Sequence, residues 1–412
     1  MGARLGDNWL MASGETFSKR KLVFPVYLPS FLFSTAEFGM IPSVPATALL
    51  LGADLATAGF ITGLLMIGRL FADIPAAKFV DLLGERRAMI GAASSGAVGI
   101  LLSLFALNLV MLGAGVFIVG AASAVFGLAR LSWMTEHVPI AIRARALSVL
   151  GGMFRAGSFV GPVLAAGVIK LYSVQAVYYL PLVLCALAAL VLVFAKGGEN
   201  LAKNSSSLKE TFRVARREGK KLATLGVASS ILSALRGTRL IGLPLIAIAL
   251  GLPTEQASLF IGLAGALDFA MFYLSGQIMD RFGRSFAAVP TLLGLGLTHL
   301  LVGVAVDANT FLLLALLMSV ANGIGSGVIM VLGADLAPPD KRSEFLASYR
   351  LLVDFGDAAA PALLAPMVVV LGLTGAMAGF GVLGFIGAGL MYKYIPRYAV
   401  APESKRLQQR PK

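Results

Sequence analysis

Ten ionisable side chains sit inside stretches of the chain that are otherwise apolar: Glu37, Arg69, Asp73, Arg155, Arg236, Arg239, Asp268, Arg350, Asp354 and Asp357. A charge at the middle of a hydrocarbon layer costs about 2.5–3.5 kcal/mol on insertion scales, so such groups face a cavity or a partner. Their spacing is ordered. A shift of 199 residues lays Glu37 on Arg236, Arg69 on Asp268 and Arg155 on Asp354, each time with opposite sign. Arg69 and Asp268 each precede an aspartate, Asp81 and Asp280, by twelve residues; Arg155 and Asp354 each follow an arginine, Arg143 and Arg342, by twelve. At 1.5 Å per residue all four lie roughly 18 Å in from one membrane face. The chemistry open to this set is ion pairing and, at any carboxylate left without a cation, proton carriage, because desolvation favours the neutral acid. Glu37, Asp73 and one of Asp354 and Asp357 are the candidates for that second role. Local pairing is also open: Arg69 and Asp73 are four apart on one helix face, and Arg350, Asp354 and Asp357 share another.

The elements that hold these residues are apolar helices. Of the 412 residues 58% are hydrophobic and 13% charged, and mean hydropathy is +0.86. Apolar runs of about twenty residues, enough to cross a bilayer, recur along the chain. They predict twelve spans over 23–48, 55–78, 88–107, 109–132, 145–170, 175–195, 222–250, 256–279, 286–306, 309–334, 343–371 and 374–394. The runs are continuous and not alternating, which excludes a β-barrel. The expected class is an all-α polytopic membrane protein with a tail (1–22), a six-helix half (23–195), a linker (196–221), a second half (222–394) and a second tail (395–412). Residues 1–18 are expected to be flexible. Lys19-Arg20-Lys21 leads into a span too long for a cleavable signal.

The formal net charge is +13, but the basic residues cluster in alternate connections, while the opposite-side connections hold only Lys170. That distribution is the positive-inside signal. It puts both termini in the cytoplasm and argues against a nucleic-acid partner. From Leu208 the linker can form a basic amphipathic helix on an anionic membrane face, or serve as a solvated connection. The single Cys185 and the distant His137 and His299 form no disulfide framework or metal set. No H-E-x-x-H or nucleotide-loop motif occurs. Neither cofactor nor catalytic residue is expected.

The 199-residue offset extends beyond the charges. Pro45 aligns with Pro244, Asp81 and Gly84 with Asp280 and Gly283, and Gly157 and Pro162 with Gly356 and Pro361. AKFVDLLGERR (77–87) and GQIMDRFGR (276–284), each at the end of the second span of a half, resemble the G-x-x-x-D-R-x-G-R-R motif of the major facilitator superfamily. GSFVGPVLAA (157–166) in span five is similar to that family's antiporter signature, G-x-x-x-G-P-x-x-G-G, through Gly157, Gly161 and Pro162. The resemblance covers nearly the whole chain and points to the drug/proton-antiporter-like efflux branch. It departs from that branch in span four, GVFIVGAASAV, where the branch carries an arginine; Arg130 lies nearer the cytoplasmic end. The first motif copy also departs at Ala77, Leu82 and Glu85.

The resemblance implies two halves rocking about a central site. It implies a cytoplasmic latch formed by Asp81, Gly84, Arg86, Arg87, Asp280, Arg281, Gly283 and Arg284. It also packs span two on span eleven and span five on span eight, which would pair Arg69 with Asp354 or Asp357 and Arg155 with Asp268. The transport and proton-coupling core is expected at Glu37, Arg69, Asp73, Arg155, Arg236, Asp268, Asp354 and Asp357, with Phe269, Phe272 and Tyr273 available for a substrate surface or for lipid packing. The expectation is a monomeric, proton-coupled exporter of a small organic or amphiphilic molecule in the inner (plasma) membrane. The alternative is an uptake carrier or uniporter for a polar metabolite or iron-related solute.

Overall fold

A computed structural model describes residues 8–10, 16–18, 22–195 and 208–398. Among these residues ten helices are long and apolar enough to cross a membrane. Twelve crossings result, because the first segment and the last helix depart from a simple rod. Span one comprises a wide turn at Val23–Tyr27, Leu28–Met40 and Ser43–Leu50, interrupted at Ile41 and Pro42. The Pro42 ring removes a backbone donor and crowds the preceding turn, which breaks the helix there. The final helix, Arg342–Tyr398, turns at Gly372 (φ 69°) and so supplies spans eleven and twelve. The others are Leu55–Leu83, Glu85–Leu104, Leu109–His137, Ile140–Leu171, Tyr179–Phe194, Val227–Ala249, Thr254–Arg281, Ser285–Leu300 and Ala308–Ile324, the last continued by Val328–Leu336. In the N-terminal tail, expected to be flexible, Asn8–Leu10 pairs antiparallel with Thr16–Ser18 and sets Trp9 opposite Phe17.

Spans one to six pack among themselves, as do spans seven to twelve; the two sets meet where span two lies on span eleven and span five on span eight. Helices in lipid gain contact by close approach of small residues. Thus Gly157 and Gly161 of span five sit against Ser34, Thr35 and Gly39 of span one, and Gly99 of span three against Gly115 of span four. The two motif turns are built alike. Gly84 (φ 77°) and Gly283 (φ 97°) adopt a backbone that side chains resist, allowing one span to reverse directly into the next.

The two membrane faces differ. On the face opposite the basic connections the halves are packed shut. Gly59 and Gly63 of span two press on Leu245 and Pro361, and Gly262 and Gly265 of span eight press on Val163 and Phe159. Toward the basic face spans five and eight are less tightly packed: a Cβ at Gly152 or Gly276 would meet nothing within 4 Å.

Candidate functional site

The seam between the halves encloses a cavity of about 280 Å³. Its walls carry Arg69, Arg155, Arg236, Arg239, Asp268, Asp357 and Asn322, with Phe38, Phe154, Leu240, Leu243 and Ile261 between them. Larger grooves of about 500 and 930 Å³ are lined almost wholly by apolar side chains away from these charges. The charged cavity is therefore the candidate site.

On one wall Arg69 of span two donates to Glu37 of span one at 2.5 Å and reaches Asp357 of span eleven, across the seam, at 3.8 Å. Ser123 of span four completes this group, donating to Glu37 at 3.0 Å. On the other wall Arg155 of span five stands 3.4 Å from Asp268 of span eight, again across the seam. Arg239 reaches Asp268 at 3.8 Å. Asn322 of span ten donates to Asp268 at 2.8 Å and accepts from Arg236 Nε at 2.8 Å. Arg236 also donates to the Gly325 carbonyl at 2.9 Å, and Arg155 to that of Ser326 at 3.1 Å. Toward the basic face a third group bridges the halves: Arg350 of span eleven lies 3.6 Å from Asp73 of span two and 3.2 Å from Asp354 on its own helix.

Two sequence readings change here. Glu37 and Asp73 were expected to be spare carboxylates; each has a guanidinium partner, Arg69 and Arg350, because spans one and eleven turn those faces toward span two. The local Arg69–Asp73 option is not the contact made, whereas the local Arg350–Asp354 option is. Phe269, Phe272 and Tyr273 lie outside the cavity lining; Phe272 instead carries the Arg155 guanidinium 5.0 Å above its ring, and Phe269 lies against Phe159. The aromatic lining is Phe38 and Phe154, which meet edge to face, with Arg130 over Phe154 at 5.4 Å.

Ser123 and Asn322 escaped the sequence reading, yet they too are 199 residues apart. Glu37, Arg69 and Ser123 are matched by Arg236, Asp268 and Asn322 with the charges inverted. The 199-residue offset carries the signal for this polar pair as it does for the charges. At the motif turns Arg86 donates to the Leu192 carbonyl at 2.7 Å and to that of Val193, both at the end of span six. Glu85 is buried and accepts from Ser132 of span four at 3.2 Å, so this departure from the motif binds span three to span four. Arg284 pairs with Asp335 at 2.8 Å within its own half. Among the described residues neither Asp81 nor Asp280 joins an ion pair across the seam. The described residues also hold no group of three or more potential metal ligands.

A twelve-span bundle of two six-helix halves, with a charged cavity at the seam and one membrane face packed shut, defines a polytopic membrane protein of the two-half carrier type. The chain belongs to the Major Facilitator Superfamily, whose family profile matches residues 26–361 and 225–412. An uncharacterised MFS-type transporter of Mycobacterium tuberculosis is 25% identical over 158 residues, a match covering 38% of this chain and 23% of the relative. The chain thus spans under a quarter of the length of the curated relatives it matches. Among solved structures, a POT family transporter in complex with 5-aminolevulinic acid superposes with a TM-score of 0.77 at 13% identity, covering 92% of this chain and 97% of that one. A bacterial homologue of the human lysosomal transporter Spinster, in an inward-facing conformation, gives 0.77 at 12% identity over 94% and 100%. A D-xylose-proton symporter gives 0.71 at 16% identity over 93% and 98%. At these identities the likeness is one of fold.

Proposed function

We propose that the chain is a secondary active transporter that exports a small organic or amphiphilic solute in exchange for protons, by alternating access. The observation that carries the reading is the charged cavity at the seam, held by side chains of both halves and more tightly packed on one face than on the other. A solute there would contact both halves, so rocking them would transfer its access from one side to the other. The basic connections argue that the less tightly packed face is cytoplasmic, with both termini on that side. Asp81, Gly84, Arg86, Arg87, Asp280, Arg281, Gly283 and Arg284 would re-form contacts across that face in the opposite state. The chain would act as a monomer in the inner (plasma) membrane.

Proton coupling is assigned to Asp73, Arg350 and Asp354. One guanidinium cannot balance two carboxylates, so the trio is neutral only when one carboxyl carries a proton. Asp73 Oδ2 is buried without a hydrogen-bond partner, which leaves room for that proton. Because Arg350 and Asp354 are on one half and Asp73 on the other, protonation would alter a contact that opens and closes with the seam. Export rests on the span-five signature around Gly157, Gly161 and Pro162. Uptake or uniport of a polar metabolite, or of an iron-related solute, is the second reading, favoured by the charge on the cavity walls. Flux in proteoliposomes with and without an imposed pH gradient decides between them. Export predicts acceleration by a gradient opposed to solute movement, and Asp73→Asn or Asp354→Asn should abolish that acceleration while leaving solute exchange. Unchanged pH-driven flux in both variants would remove the trio from coupling.

A further inference from the structure

The charge lining the cavity is not balanced. The lining carries four guanidiniums, Arg69, Arg155, Arg236 and Arg239, against two carboxylates, Asp268 and Asp357, and Arg155 and Arg239 share Asp268. Arg236 joins no ion pair among the described residues; its acceptors are the neutral Asn322 side chain and the Gly325 carbonyl. Arg239 places one terminal nitrogen 2.5 Å from Ser319 Oγ, and its buried Nε has no hydrogen-bond partner. Asp357, the other lining carboxylate, stands beside Gly237 of span seven and is within reach of Arg69, which also holds the buried Glu37. An uncompensated buried charge carries a desolvation penalty, and the lining holds two more guanidiniums than carboxylates.

We propose that Arg236 and Arg239 form an anion subsite that takes a carboxylate or phosphate group on the transported solute. A guanidinium fork matches either group through paired N–H donors and binds it more tightly than a neutral acceptor. Arg236 retains N–H groups beyond those given to Asn322 and Gly325, and Arg239 Nε supplies a further buried donor beside it. Leu240, Leu243, Ile261, Phe38 and Phe154 would contact the apolar remainder. The inference rests on the carrier reading for its solute, but the binding chemistry is independent of direction and coupling.

The test uses the full chain in detergent and follows its thermal unfolding with benzoate, phenyl phosphate, benzamide and benzylamine. Benzoate or phenyl phosphate should raise the midpoint, and whichever does so names the anion; the neutral and cationic analogues should not. Arg236→Gln should weaken the anion response by about tenfold or more, the loss expected for a charge-assisted pair. It should melt no lower than the parent without ligand, since it removes an unbalanced charge. Arg239→Gln asks the same of the second donor should the first variant fail to fold, and Lys393→Gln, on the outer surface, should keep the full response. Equal shifts with benzoate and benzamide, or an undiminished response in both arginine variants, overturn the subsite. Proton-driven flux of a neutral solute alongside that result would leave the carrier reading standing, so the two failures are distinguishable.

Discussion

Asp268 is the residue on which the cavity's electrostatics turn. Among the described residues it is the only carboxylate within ion-pair reach of Arg155 and Arg239, and through Asn322 it also anchors Arg236. The two partners of the Arg155–Asp268 pair are therefore not equivalent. Replacing Arg155 by Gln leaves Asp268 with Arg239 and Asn322, a loss on the order of 1–2 kcal/mol for one charged contact. Replacing Asp268 by Asn leaves Arg155 and Arg239 without their carboxylate in a poorly solvated place, at about 3–5 kcal/mol. Denaturant or thermal unfolding of the purified variants should thus rank Asp268→Asn well below Arg155→Gln. Equal destabilisation would mean that Asp268 serves Arg155 alone and that the other two arginines are balanced elsewhere.

Among the elements, the helix Leu208–Arg217 and its continuation have a defined seat on the C-terminal half. Lys341 donates to Glu210 at 2.7 Å, Arg217 to Asp340 at 3.0 Å, and Ser348 to the Thr211 carbonyl at 3.2 Å. Both carboxyls are held below their usual range, Glu210 by the Lys341 bond and Asp340 by the Arg217 bond, and Lys341 is held above its own by Glu210. A carboxyl lowered on docking favours the docked state at pH above its ordinary value and loses that contribution as pH falls through the lowered one. A raised lysine contributes below its ordinary value, so both signs favour docking near neutrality. Amide exchange across 208–217 should be slow at pH 7 and quicken in acid, beyond the intrinsic pH trend, as the two carboxyls protonate; Glu210→Gln should remove part of the pH 7 protection. Exchange unaffected by that variant would show that apolar packing alone holds the helix. This helix was legible from Leu208 onward because its charges and apolar residues segregate at helical spacing. The break at Ile41 and Pro42 and the Glu37–Arg69 contact were not, since hydropathy fixes where a span runs and says little about which face it turns toward its neighbour. For Arg155 and Asp268 that direction came from the family resemblance, which sets span five on span eight. The 199-residue offset links Ser123 with Asn322, and it recurs in the paired caps Asn108 and Asp307, which open spans four and ten by accepting from Met111 and Thr310.

For the molecule as a whole, the two faces pose a mechanical question that the seam answers in part. The sealed face is closed by small residues of one half against bulky residues of the other, with no ion pair between Gly59 and Leu245 or between Gly63 and Pro361 to be broken. Apolar contacts of that kind separate without stranding charge, whereas the ion pairs deeper in the seam can remain as the pivot. Alternating access therefore requires Gly59 and Leu245 to part in every cycle. Cysteines at both positions, in a Cys185→Ser background that removes the only natural thiol, should be joined by a short bifunctional thiol reagent with a cleavable disulfide in its spacer. The cross-linked protein should hold the state described here, with flux at background, and reduction should restore it. Either single-cysteine variant treated alike should transport normally, which separates locking from chemical damage. Full flux through the cross-linked form would show that this face stays shut during transport and would end the rocking account of the two halves.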